Sequence, residues 1–224
     1  VAPKALHRKA SSCVWAVGQY TKDGGHHWNT TYVGKALSER TPADAMYGWE
    51  CITDPIMQFE SDGTLHYSLQ AYKYRPLGAD PTGMLPEGGF MFHAISHDGG
   101  ATFPTILLMH VGDETAILHD YMRMGVNPAT NTVFTIWNQL TGGATSEPVM
   151  VAVAHGATNS RPPVYFPQTA SPTGLGESSI VGAKDGTVYA WLSGFNSGGL
   201  AVLAKSTDDG KTFGVGSQVW TYTP

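Results

Sequence analysis

The stretch Ser206-Thr-Asp-Asp-Gly-Lys-Thr-Phe213 decides how this chain folds. It returns as Ser96-His-Asp-Gly-Gly-Ala-Thr-Phe103 and, with threonine in front, as Thr21-Lys-Asp-Gly-Gly-His-His-Trp28. One template covers all three: hydroxyl, any residue, Asp, any residue, Gly, two of any, aromatic. A position matches it by chance on the order of once in 10⁴–10⁵. Three matches in 224 residues are therefore a repeat. Its chemistry is that of a hairpin turn: Asp and the hydroxyl residue hydrogen-bond backbone within the turn, and Gly supplies a positive φ. The aromatic is expected to anchor the returning strand on an apolar layer.

Working outward, apolar alternation over short runs bounded by Gly, Pro, Asn and Asp dominates, and helical periodicity is nearly absent. The first segment reads as strand Cys13–Tyr20, the turn 21–28 and a return strand Tyr32–Leu37, without an opening strand. The next unit is complete. It has strand Asp54–Glu60, turn Ser61-Asp-Gly63, strand Thr64–Tyr72, a Pro/Gly-rich loop Lys73–Gly89, strand Phe90–Ile95, the repeat, and strand Thr105–Val111. The last unit copies this order: Ser178–Ala183, turn Lys184-Asp-Gly186, Thr187–Leu192, Leu200–Lys205, the repeat and Gln218–Tyr222. Between them Tyr121–Val126, turn Asn127-Pro-Ala-Thr-Asn131, Thr132–Trp137 and Val149–Ala154 form a unit in which His155-Gly-Ala-Thr-Asn159 replaces the repeat.

These turns resemble the Asp boxes, or bacterial neuraminidase repeats, of sialidase-like β-propellers. The resemblance implies an all-β fold of four-stranded antiparallel blades, of which about three and a half to four are present. The units fall at about 1–45 (partial), 50–112, 118–167 and 175–224 of a single 1–224 propeller. Roughly 40–50 residues per four-stranded blade is usual, and the long interval from Asp98 to Asp208 leaves room for the unit without a repeat. Sialidases have six blades, so the resemblance implies an incomplete ring that needs further blades from the same polypeptide or another chain. An opened face would bare apolar residues, with Ile180 and Val188 expected there.

Composition sets the bounds. Only 14% of residues are charged and the net charge is −5, which gives no electrostatic case for nucleic acid or an anionic membrane. No apolar run approaches the roughly 18–20 residues that span a bilayer. The start at Val1, without initiator Met or signal pattern, predicts a processed or partial polypeptide. Cys13 and Cys51 lie on strand segments; they read either as a disulfide between neighbouring blades of a secreted protein or as two buried thiols. Asn29-Thr-Thr31 is a formal glycosylation sequon.

By resemblance the boxes (Asp23, Gly25, Trp28; Asp98, Gly100, Phe103; Asp208, Gly210, Phe213) are structural, and any site lies on the opposite face. Aligning Gly63 with Gly186 sets Asp54 over Glu177, and a turn two residues longer brings Asp120 to the same place. Converging carboxylates raise one another's pKa, which suits a general acid, or supply oxygen ligands for Ca²⁺. The other reading is that each acid caps a turn that leads into a strand. Arg40, Arg75 and Arg123 are the basic residues assigned to that face, where sialidases grip a substrate carboxylate with three arginines. This chain has five arginines and lacks the Arg-Ile-Pro segment of sialidase catalytic domains. No tyrosine is placed by a motif as nucleophile. The nine histidines show no zinc spacing, and Met57, Met122 and Met124 read as core filler. The expectation is an extracellular glycan- or protein-binding or scaffolding propeller with no cofactor. The alternative is a segment of a secreted sialidase-like glycoside hydrolase, with a carboxylate and arginine site at the propeller mouth.

Overall fold

The computed structural model describes residues 16–36, 39–47, 49, 51–76, 84–111, 117–141, 145–153, 164–165, 178–194, 200–214 and 217–221. Among them are fourteen strands and no α-helix, and every pairing is antiparallel. Among the described residues no helix is long and apolar enough to cross a membrane. The chain divides into two units, Val1–Thr115 and Ala116–Pro224.

In the first unit, β1 (Val17–Tyr20) and β2 (Asn29–Tyr32) form a hairpin, while β3 (Cys51–Phe59), β4 (Leu65–Pro76), β5 (Met84–Ser96) and β6 (Thr105–Val111) form a meander in chain order. Strand alternation sorts β4 into two faces. Tyr67, Leu69 and Ala71 join Phe92 and Ala94 of β5 in an apolar core with Val33, Met46, Trp49 and Ile52. Trp49 meets Phe92 edge-on at 5.9 Å between ring centroids. His66, Ser68 and Gln70 point the other way and are also buried, so β4 is covered on both faces over Leu65–Ala71.

The structure departs from the sequence expectations at several places. The return strand of the first hairpin is Asn29–Tyr32, not Tyr32–Leu37; Gly34 and Lys35 take left-handed φ values of 75° and 66° and end it. The expected loop Lys73–Gly89 is largely sheet, with Arg75 paired to Leu85 and Tyr74 to Pro86. Pro86 is tolerated because, among the described residues, β6 pairs with β5 over Phe90–Ile95 and leaves this stretch of β5 with one ladder to fill. Trp28 anchors no core: it is 59% exposed, unlike Phe103 and Phe213, which pack against the two cores. Met57 is exposed too, whereas Met122 and Met124 are buried as expected of core filler.

The second unit holds β7 (Ile117–Asn127), β8 (Thr132–Thr141), β9 (Thr145–Val153) and β10 (Val164–Tyr165) in one sheet. Its other sheet is β11 (Ser178–Gly182), β12 (Val188–Gly194), β13 (Leu200–Ser206) and β14 (Ser217–Thr221). Phe134 and Ile136 of β8 pack on Ile180, Val188, Ala190, Leu192 and Ala204. Ile180 and Val188 are therefore core residues, and the exposed face of that sheet carries Val181 and Trp191 instead. The side-chain period of two makes any assignment of faces an all-or-none choice. The two sheets meet through glycine: a Cβ on Gly125 of β7 would stand 2.1 Å from the Ile180 carbonyl oxygen, and one on Gly182 of β11 2.3 Å from Asn127 Cα. The segment His155–Asn159 lies outside the described residues.

Candidate functional site

The repeated turns close on themselves. Ser96 Oγ donates to Asp98 Oδ1 at 2.8 Å and accepts from Gly100 N at 2.8 Å. Asp98 in turn accepts from Thr102 N (2.9 Å) and Thr102 Oγ1 (2.7 Å). Ser206, Asp208, Gly210 and Thr212 repeat these four bonds at 2.7, 2.9, 2.9 and 2.6 Å. In the first turn Thr21 and Asp23 do the same, and His27 supplies both the backbone N–H and a side-chain partner on its ring Nδ1. The template's seventh position thus has a role that "any residue" missed; the threonine shared by two of the three copies was the legible signal. Gly25, Gly100 and Gly210 all carry positive φ.

These bonds favour the ionised acids. Backbone N–H donation by Thr102 and by His27 holds Asp98 and Asp23 at about 2, and the Thr212 hydroxyl and amide lower Asp208 as well. Folded values below the ordinary 3.8 mean that the turns lose stabilisation only as pH falls below it, through the folded values. Asp98→Ala or Asp208→Ala is expected to lower stability by about 1–3 kcal/mol through lost turn hydrogen bonds. Urea denaturation checks this; an unchanged midpoint would remove the fastening role.

The fourth template position separates the copies. It is Gly24 (φ 72°), Gly99 (φ 74°) and Asp209 (φ 60°). Asp209 accepts from Asn127 Nδ2 (2.8 Å), Thr130 Oγ1 (2.8 Å) and Thr132 Oγ1 (2.7 Å), and so clamps its turn to the β7–β8 turn. In the first unit the second repeat likewise reaches the preceding hairpin, with Thr31 Oγ1 donating to the Ala101 carbonyl at 3.0 Å.

Asp54 and Asp120 do not share one position. Asp54 is exposed, has φ 47°, and lies in a bulge of β3 where Asp54 and Pro55 stand between the pairs Thr53↔Gln70 and Ile56↔Ser68. β7 bulges likewise, but there Asp120 pairs with Asn138 and the inserted residues are Tyr121 and Met122. Asp120 therefore matches Thr53, one place before Asp54. Arg123 follows the bulge, half-buried, and donates to the Met122 carbonyl at 2.9 Å. Arg75 lies on β4 beyond Tyr72, the last residue paired with β3. Arg40 serves its own loop by donating to the carbonyls of Gly34, Lys35, Met46 and Trp49. Glu177 and Cys13 lie outside the described residues, as do the side chains of Cys51, Arg75 and Asp120. Among the described residues no cluster of His, Cys, Asp or Glu could hold a metal ion.

Sequence reading missed a buried polar chain in the first unit. Ser68 Oγ meets His93 Nδ1 at 2.8 Å, His93 Nε2 meets His66 Nδ1 at 2.8 Å, and His66 Nε2 meets Glu60 Oε1. Burial, with His66 nearby, pushes the His93 pKa down to about 3, so its ring is neutral. With a neutral His93 ring, one arrangement satisfies all three contacts. Ser68 O–H donates to His93, His93 Nε2–H to His66, and His66 Nε2–H to Glu60. The order is that of an activated serine. Ser68, His66 and His93 are nonetheless 0% exposed, so the chain serves the interior.

No protein-family model matches the chain, and no curated protein sequence matches it. Among solved structures, the Hadza microbial sialidase Hz136 is similar at a TM-score of 0.56 and 11% identity, over 76% of this chain and 39% of its own. A protein of unknown function from Dyadobacter fermentans DSM 18053 is similar at 0.55 and 16% identity, over 93% of this chain and 59% of its own. The chain thus spans less than two thirds of either neighbour. At these identities the likeness is one of fold: an all-β chain of antiparallel sheets with a weak sialidase-like relationship.

Proposed function

We propose that the chain is part of an extracellular sialidase-like β-propeller that binds a glycan without cleaving it, and that the repeated turns are its Asp boxes. The observation that carries this reading is the internal use of each turn: hydroxyl and carboxylate are engaged by the turn's own backbone and side chains. Groups so engaged fasten a scaffold rather than meet a substrate. Function then belongs to surfaces that the scaffold displays. In this reading the four-stranded sheets are blades, with units near 1–45, 50–112, 118–167 and 175–224, and blades beyond this chain complete the ring. A protein ligand would use the same display.

The fold likeness to a sialidase favours a second reading, glycoside hydrolysis through Asp54, Asp120, Glu177, Arg75 and Arg123. The one-place offset between Asp54 and Asp120 speaks against equivalent roles. Incubating the chain with a fluorogenic sialoside and a panel of immobilised glycans separates the two. Saturable glycan capture without fluorophore release is expected. Turnover would replace the binding reading with the hydrolytic one, and a panel without capture would end the glycan assignment.

A further inference from the structure

A cleft of about 560 Å³ opens within the first unit between β2 and the segment leading into β6; its lining includes Tyr32, Lys35, Asp44, Thr102, Phe103 and Ile106. That volume lies in the range of about 300–1,000 Å³ typical of small-molecule sites. One wall is fixed from behind, where the Arg40 guanidinium ties together the carbonyls of Gly34, Lys35, Met46 and Trp49. Lys35 holds a left-handed φ of 66°, a conformation that non-glycine residues adopt at a cost and that clusters at functional sites. Gly34 before it has no room for a side chain, since its Cβ would stand 2.5 Å from Met46 Sδ. This backbone brings Lys35 Nζ to 2.7 Å from Asp44 Oδ1, while Thr41 N and Thr41 Oγ1 hold Oδ2 at 2.7 and 2.9 Å. Thr41 fills Oδ2 and fixes the carboxylate. Lys35 Nζ gives one of its three protons to Oδ1 and takes one lone pair there, so a donor and an acceptor remain for a ligand. Both Thr31 and Tyr32 of β2 line the cleft, Thr31 buried and Tyr32 45% exposed.

We propose that this cleft seats a neutral pyranose of a glycan, an assignment that rests on the glycan-binding reading above. A pyranose ring presents a flat C–H face suited to an aromatic side chain and a rim of adjacent hydroxyls that both donate and accept. Tyr32 and Phe103 offer the first kind of surface, and the Lys35–Asp44 pair the second. The pair is neutral overall, so the cleft offers no net charge to draw a sugar carboxylate. Loose packing around a solvated ring and few polar contacts give a single sugar roughly millimolar affinity.

The test titrates the 224-residue chain with the methyl glycosides of glucose, galactose, mannose and N-acetylneuraminic acid, followed by calorimetry and NMR. At least one neutral glycoside should bind saturably, with the sialoside at least tenfold weaker. Tyr32→Ala and Lys35→Met should each weaken the neutral glycoside at least tenfold at unchanged melting temperature. Trp28→Ala, an exposed aromatic outside the lining, should leave binding as it is. Binding that survives both cleft substitutions would keep the glycan reading and overturn the cleft. Preference for the sialoside would overturn the neutral seat, and no glycoside binding at all would overturn both.

Discussion

Replacing Gly125 with valine is expected to destabilise the second unit by about 3 kcal/mol or more, the upper end of what overpacking costs. The reason is a collision with backbone. Even a single Cβ at this position would lie 2.1 Å from the Ile180 carbonyl oxygen and 2.8 Å from its carbon. Neither atom can rotate away, so β7 and β11 would have to separate and open the core of Phe134, Ile136, Leu192 and Ala204. Gly125→Ala should already show most of the loss. Gly24→Ala provides the contrast, because Gly24 has φ 72° and nothing within 4 Å of its would-be Cβ. It should lose only the left-handed strain, about 1 kcal/mol. Equal melting of the two alanine variants would refute the close approach of β7 and β11.

His66→Leu is the second substitution with a large expected effect, about 2–5 kcal/mol. It keeps volume but removes the ring that joins Glu60 to His93, and both buried groups lose a hydrogen bond. Acid should act on the same chain in a defined window. The folded value of His93, about 3, lies below the unfolded 6.5. Between these values the unfolded chain holds a proton that the folded chain refuses. Stability is thus unaffected by His93 above about pH 6.5 and declines below it, by up to roughly 1.4 kcal/mol per pH unit, until the folded ring protonates. His93→Gln should flatten that decline in denaturation curves between pH 6.5 and 4, at a lower stability near pH 7. A decline that persists unchanged in the variant would assign it elsewhere.

What was legible in the sequence was local. Each repeated turn closes through residues two to four positions apart, so the string Ser-x-Asp-x-Gly carries nearly all of its own structure. Short alternating runs between such turns gave the strand order, and β6, Thr105–Val111, lies where alternation placed it. What was hidden depends on pairing. The bulges at Asp54–Pro55 and Tyr121–Met122 are irregularities of register and leave no mark in composition. Counting back from the turns therefore misaligned Asp54 with Asp120. The polar chain was hidden for a related reason: His66, Ser68 and His93 alternate with apolar residues just as solvent-facing positions do. Only the burial of both faces of β4 distinguishes them from a solvated edge. The cleft lining was equally out of reach, since Tyr32, Asp44 and Phe103 come from three separate segments.

Asp209 bears on the order in which the chain folds. The bonds within its own turn, from Ser206 to Thr212, span a few residues and can form as soon as β13 turns toward β14. Its clamp onto Asn127, Thr130 and Thr132 joins positions 77 to 82 residues apart, and the chain between them must already be arranged. We expect the clamp to form after the turn's own bonds and to act as a latch. Asp209→Ala should speed unfolding more than it slows folding, and a chevron plot in which the folding arm carries the change would refute this.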